Sequence, residues 1–592
     1  MPRWVPPGIV TARHYRRAWL WPDVRAGIVV TALLIPAGMG YAQVAGLPPE
    51  TGLYATIVPL IAYALVGPSR ILVLGPDSAL APVIAAAILP LALGDDDRAV
   101  ALAGLLAIMV GGILLFGGIL RLGFVTDLLS KPIRVGYLNA VALIVIISQV
   151  PTLLGFSTDA DTPYGEVAAI VGGIADGRID WLAFGFGLGS LALIVMLTVV
   201  KSPVPGVLVA VVAAMVVTAL LGLSTALPVV GALPQGLPAP ALGGLQWADV
   251  AALALPAAGI ALVAFADSAV LSRTLAARRG EHVSGSREMA AIGTANIASG
   301  LFGGFPLAAS SSRTPVAEQA GSKSQLTGVV GAVLIVLFML VAPGLTEFLP
   351  SATLAAVVIM AASRLVDVTG FVRLVRMDKV DAGLSAAAFI GVFVFGVLAG
   401  IAVTIGLSLL AFVNQSWRPY RAELGRVTGL RGYHDLSRNP EGERIPGLVI
   451  VRFDAPLFFA NGGLFDDFVR SRVEAAGPGV HTVVLAAEPI TDIDTTAVDE
   501  LVELDDWLAA RGIRLVIAEM KDPVVDVLRD YGLMDRFTPD RFAPTVGAAV
   551  DDVTGTLRGD LEGTKWEGEA PDPDGGEPPR RDDPGRGGPE RP

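Results

Sequence analysis

The 592-residue sequence has no cysteine, which excludes disulfides, thiolate metal sites and a cysteine nucleophile. It is also poor in charge, with 17% charged against 53% hydrophobic residues, a balance far too apolar for a soluble chain of this length. The four histidines are scattered outside the apolar runs and no glycine-rich nucleotide loop is present. An enzyme, a resident cofactor and a nucleic-acid partner are therefore not expected. The net charge of -12 comes partly from acidic residues after position 440 and carries no message about nucleic acid. The N-terminus is polar and basic through Arg13, Arg16, Arg17 and Arg25, and its first apolar run leads into further runs rather than a cleavage site. That first run is expected to stay in the membrane.

What is present in quantity is apolar run after apolar run, between about residues 25 and 416. A spanning helix needs about 20 such residues, fewer where it is broken, and on that measure there are roughly fourteen spans. Lys and Arg recur in every second loop, among them Arg70, Arg121, Lys131, Arg134, Arg273, Arg278, Arg279, Lys323, Arg364 and Arg418. The intervening loops carry "GDDD" at 94–97 and Glu347 instead. Positive charge collects on the cytoplasmic side, so both termini are expected there, in the plasma (inner) membrane of the cell. Residues 1–24 read as a cytoplasmic segment, 25–416 as the transmembrane domain, 417–445 as a polar linker and 446–556 as a soluble α/β domain. The last follows from strand-like "LVIVRFDAPLFFA", "HTVVLAAE" and "RLVIAEM" alternating with helical patterns. Residues 557–592 are too rich in Pro, Gly and charge to bury a core and are expected to be disordered.

Two stretches break the apolar pattern: "GPDSALAPV" at 75–83 and "AASSSRTPV" at 308–316, which lie 233 residues apart and suggest two equivalent halves. Irregular backbone at membrane depth survives only when buried in protein or lining a cavity. If half-helices start near Ser78 and Ser311, their free N–H groups face one another and favour an anion. Arg313 adds a full positive charge, with Ser310, Ser311, Ser312 and Thr314 as hydroxyl donors. An arginine in the bilayer is costly enough to need a use. The competing reading has Arg313 snorkelling to the surface while the serines only pack helices.

The other intramembrane charge is Asp267, in "GIALVAFADSAVLSRTLAARRGE". A carboxylate in a span points to a proton carrier or a cation partner, here H+ or Na+ as coupling ion. Its structural alternative is a salt bridge to Arg273 or Arg313.

"IPAGMGYAQVAGLPPETGLYATIVP" at 35–59, "FGGFPLAASSSRTPVAEQAGSKSQLTGVVGA" at 302–332 and "TDIDTTAVDEL" in the soluble domain resemble the SulP, or solute carrier 26, family of anion transporters over nearly the whole chain up to about residue 556. The resemblance implies an α-helical polytopic protein with fourteen spans in a seven-plus-seven inverted repeat. It implies a core domain moving against a gate domain, a homodimer, and a cytoplasmic STAS domain that offers a surface for a cytoplasmic partner. It places a small anion near Ser78, Ala79, Ser311 and Ser312, with Tyr41 as the wall. Many relatives carry Gln where this chain has Ala37, so one polar contact is missing. The aspartate at 267 is similar to that of a sodium-coupled bicarbonate relative, although a Thr one turn onward in that site is Leu271 here. Bicarbonate is thus the first expected substrate and sulfate the next, carried by Na+ or H+ symport. An uncoupled exchanger or channel is the alternative, and a nucleobase carrier of the same fold a more remote one. In "DTTA", Asp494, Thr495 and Thr496 occupy the place of the STAS regulatory loop whose second hydroxyl is phosphorylated; the plainer reading is a helix cap.

Overall fold

The computed structural model describes residues 6–555 except 124–130, 159, 161, 201, 203, 235, 238, 241, 282, 311, 397–399, 401, 402, 404, 405, 408, 412, 415 and 416. Ser311, the expected disordered tail and much of the last expected span lie outside the described residues. The chain forms two compact units, residues 1–411 and 412–592.

Acidic caps start many of the long helices of the first unit. Asp95 accepts the Arg98 amide (3.0 Å) at the head of α5 (Asp96–Ile119), and Asp180 accepts those of Leu182 and Ala183 at the head of α8 (Trp181–Val199). Asp249 closes a capping box with Gln246 at the head of α10 (Trp247–Arg278) and also pairs with Arg98 (3.0 Å). The "GDDD" run is therefore a helix start. Preceding these are α1 (Pro7–Arg13), α2 (Leu20–Val44), α3 (Pro49–Val66) and the short α4 (Ala81–Ala92); between them lie α6 (Lys131–Leu154), α7 (Pro163–Ala175) and α9 (Gly206–Leu220). After them come α11 (Gly285–Leu301), the seven-residue α12 (Arg313–Gln319), α13 (Leu326–Val341), α14 (Ser351–Ser363), α15 (Val368–Met377) and α16 (Lys379–Phe395). Seven helical segments among the described residues are long and apolar enough to cross a membrane. The other crossings are short or interrupted helices, as a transporter with broken spans requires.

Packing divides these helices into two groups. Helices α2, α3, α4, α5, α10, α11, α12 and α13 pack on one another; α6, α8, α9, α14 and α16 form the second group, against which α2 also rests. Glycines let the first group close tightly. A Cβ on Gly111 of α5 would fall 2.5 Å from the Gly293 carbonyl oxygen, and one on Gly300 of α11 would fall 2.2 Å from that of Gly104, so the two backbones run nearly in contact.

The two irregular stretches satisfy each other. Strand β1 (Leu74–Gly75) pairs antiparallel with β2 (Ala308–Ala309), and Gly75 lies opposite Ala308, the two residues that the sequence offset of 233 aligned. The Ser310 amide donates to the Val73 carbonyl (2.9 Å), and the Val73 amide to the Thr314 hydroxyl (3.1 Å). Ser268 of α10 accepts the Ala309 amide (2.9 Å), and Asn296 of α11 brackets Leu307 through both its amide (2.9 Å) and its carbonyl (3.2 Å). Backbone groups that lipid cannot serve are thereby met by protein.

Asp23, fully buried at the start of α2, accepts the amides of Lys323 (2.6 Å) and Ser324 (3.0 Å), the Ser324 hydroxyl (2.6 Å) and the Tyr15 hydroxyl (3.1 Å). This fixes the turn that follows α12. Asp23→Ala strands these donors and is expected to cost about 2–4 kcal/mol, read as a lower melting temperature of the purified protein.

The second unit is a six-stranded sheet in the order β4-β3-β5-β6-β7-β8. Strands β5 (Leu448–Phe453), β6 (Thr482–Ala486), β7 (Arg514–Ala518) and β8 (Phe542–Ala543) run parallel, and β3 (Arg421–Arg426) joins β5 and β4 (Tyr433–Asp435) antiparallel. Helices α17 (Gly462–Ala476), α18 (Thr495–Ala509) and α19 (Asp522–Asp530) cover one face, and α20 (Val546–Thr554) the other. β3 and β4 fall in the stretch 417–445 that reads as a linker. β4 is the edge of the sheet and β3 lies between it and β5; both are short and rich in charged or polar residues, so they look like a connection.

Candidate functional site

Arg313, the first residue of α12, is 3% exposed and does not snorkel. Its Nη2 donates to the Pro76 carbonyl, its backbone amide donates to the Ser310 hydroxyl (3.2 Å), and Nη1 has no hydrogen-bond partner among the described residues. The guanidinium lies against Gly75, where a Cβ would come 3.2 Å from Nη1; the absence of a side chain keeps that space for the charge. Arg313 borders a cavity of about 860 Å³ together with Tyr41, Ser312, Gln319, Arg25 and Arg364. Arg25 and Arg364 are exposed and, among the described residues, make no ion pair. A buried positive charge beside a cavity with further cations at its rim attracts an anion.

The other expected residues are distributed around this point. Tyr41 is 4% exposed and forms a wall of the cavity. The Ser310 and Ser312 hydroxyls meet at 3.2 Å; Ser312 faces the cavity and Ser310 is buried behind it. Ser78 and Ala79 are buried on the turn before α4. At the first expected helix tip several amides are already taken, while Ser311 at the second lies outside the described residues. α4 begins at Ala81, and Asp77 takes its first donors: the Ala79 amide through Oδ1 (2.9 Å), and those of Leu80 (3.2 Å) and Ala81 (3.1 Å) through its carbonyl. A carboxylate at that tip cancels most of its pull on an anion. α12, at seven residues, has little dipole of its own. The guanidinium, rather than two opposed helix ends, is the main electrostatic feature of the cavity.

Asp267 is not in this cavity. It lines a second one, of about 310 Å³, with Asp77, Lys131, Arg134, Thr274 and Asp367. Neither expected salt bridge forms: Arg273 donates to the Gly123 carbonyl (3.2 Å), and Asp267 has no ion pair among the described residues. Ala309 of β2 lines the Asp267 cavity while Ser312 and Arg313, just beyond β2, line the other, so the paired strands stand between acid and cation. Sequence reading missed Asp77, Arg134 and the rim arginines. Asp77 stands in the quoted "GPDSALAPV", and its charge at membrane depth was the available signal. No cluster of three or more metal-ligating side chains occurs among the described residues.

In the second unit, Asp494 is the N-cap of α18: Oδ1 accepts the Ala497 amide (2.9 Å) and Oδ2 the Phe459 amide (2.8 Å). Thr495 and Thr496 are exposed in the first turn. Asp494→Ala is expected to cost about 1 kcal/mol of domain stability, measurable by chemical denaturation followed at Trp507.

The first unit thus joins paired broken segments, a buried arginine beside one cavity and an intramembrane acid in another. The chain belongs to the Sulfate permease family, whose model matches residues 20–388, and carries a STAS domain at 439–549. It is 41% identical over 548 residues, 92% of this chain and 97% of the relative, to a protein of Mycobacterium tuberculosis named "Probable sulfate transporter". It is 31% identical to "Sulfate transporter 4.1, chloroplastic" of Arabidopsis thaliana, covering 89% of this chain and 79% of that one. Among solved structures it is similar to murine Solute Carrier 26 family member A9, an anion transporter in the inward-facing state, with a TM-score of 0.86, 22% identity and 93% and 94% of the two chains covered. It is also similar to the transmembrane domain of a cyanobacterial bicarbonate transporter, with a TM-score of 0.56, 23% identity, and 67% and 98% covered. The chain is a multi-pass membrane protein of an anion transporter family, not an enzyme.

Proposed function

We propose that the chain is a secondary active carrier of a small oxyanion, sulfate ahead of bicarbonate, bound at Arg313 and coupled to Na+ or H+ through Asp267. The buried guanidinium of Arg313 beside its cavity, with Nη1 unpartnered among the described residues, carries this reading. A forked cation with two more guanidiniums at the rim suits a doubly charged oxyanion better than a singly charged one. The name of the 41% identical relative points the same way. Bicarbonate stays second through Asp267 and the name of the cyanobacterial neighbour. Transport would proceed by displacement of the α10 group of helices against the α6 group, with Ser78, Ala79, Ser310, Ser311 and Ser312 around the anion and Tyr41 beside it. The carrier would work as a homodimer in the plasma membrane with both termini in the cytoplasm, and without a cofactor. The STAS domain would present Asp494, Thr495 and Thr496 to a cytoplasmic partner.

The test is reconstitution of the purified chain in liposomes with radiolabelled sulfate, bicarbonate, chloride and fumarate, with and without an imposed sodium or proton gradient. Saturable sulfate uptake that accelerates with one gradient supports the reading. Flux that does not saturate, or ignores both gradients, identifies a channel or an exchanger.

A further inference from the structure

We propose that Arg134 and Tyr137 of α6 form a latch that neutralises Asp267 when no coupling cation is bound, so that the empty carrier can return; this rests on the coupled-carrier reading. Asp267 stands on α10, in the first packing group, and α6 belongs to the second. The 310 Å³ cavity between them has Asp267 and Asp77 on one wall, Arg134 and Lys131 on the other. Arg134 and Tyr137 are three residues apart and share a helix face.

The groups on both walls are incompletely used. Tyr137 does not line the cavity but is buried one helical turn from Arg134, within electrostatic reach of Asp267 and Asp77, and its hydroxyl has no hydrogen-bond partner among the described residues. Among the described residues neither Arg134 nor Asp267 makes an ion pair. The remaining carboxylates are committed: Asp77 to the Ala79 amide, and Asp367, at the head of α15, to the Gly370 amide (2.6 Å). Lys131 is exposed at the mouth and Thr274 is uncharged. A displacement that closes this cavity therefore brings the Arg134 guanidinium onto Asp267, with the Tyr137 hydroxyl buried behind it.

The energetics require such a partner. A carboxylate carried through a low-dielectric barrier needs a compensating charge in every state that crosses. Bound sodium or a proton supplies it in the loaded carrier; Arg134 supplies it in the empty one. Sulfate/sulfate exchange uses only the loaded form, whereas net uptake needs the empty form to return.

Arg134→Gln is expected to lower gradient-driven net sulfate uptake at least about tenfold while exchange stays within about twofold of wild type, and Arg134→Lys to restore most of the net uptake. Tyr137→Phe should act in the same direction, less strongly. Net uptake and exchange falling together, or neither changing, overturns the latch. Because the chain has no cysteine, L138C/V270C, one residue from each helix lining the cavity, carries the sole thiol pair and leaves Arg134 and Asp267 in place. Oxidative cross-linking of that variant is expected without substrate and to be suppressed by sulfate with sodium or at the driving pH. If the wild type shows no gradient-driven uptake, the coupled reading fails, and absence of a cross-link in every condition then overturns the latch as well.

Discussion

Asp267→Asn is expected to abolish sodium- or proton-driven anion uptake while leaving the protein folded and able to exchange anion for anion. Asparagine preserves the size and the polar surface of the side chain, and Asp267 holds no ion pair among the described residues whose loss would unfold α10. The neighbour that anchors β2 is Ser268, through the Ala309 amide, and it is untouched. What disappears is the one charge on that stretch of α10 that a cation can balance, so binding of the driving ion loses its partner. Uptake with and without an imposed gradient, in liposomes of matched protein content, separates the outcomes. Undiminished gradient-driven uptake would remove Asp267 from the coupling step.

Arg313→Ala is expected to weaken anion binding by about 2–4 kcal/mol, or roughly 30-fold and more in apparent affinity. The guanidinium offers a charged donor that no protein group uses, and truncation removes both the charge and the hydrogen bond to an anion. The variant also loses the Nη2 contact to the Pro76 carbonyl, so thermal stability should be followed in parallel. Arg313→Lys keeps a charge without the planar fork and should fall between the two. A half-saturation concentration unchanged in Arg313→Ala, with the protein intact, would place the anion elsewhere.

The membrane class, the STAS domain and the two broken segments were legible because each is written in a local excess: apolar runs, alternating strands and helices, and glycine, proline and hydroxyl residues where oil is the rule. The offset of 233 between the two broken segments was legible too, though not that Gly75 and Ala308 pair as strands. What stayed hidden is relational. Asp77 looks like one more polar residue of a turn until its side chain is seen to occupy the Ala79 amide and its carboxylate to share a cavity with Asp267. Arg134 counts as a positive-inside residue along the chain, and only the packing of α6 against α14 and α16 makes it the opposite wall to Asp267. The strands β3 and β4 escaped because, short and rich in charged or polar residues, they have the composition of a linker.

That the transported anion is held by the buried guanidinium of Arg313 is tested most directly by crystals of the purified protein soaked in selenate, a sulfate analogue with its own anomalous signal. The expected map has one strong peak in the cavity bordered by Tyr41, Ser312 and Arg313, with an oxygen about 3 Å from Nη1. A peak in the Asp267 cavity, or only on the outer surface, would contradict it.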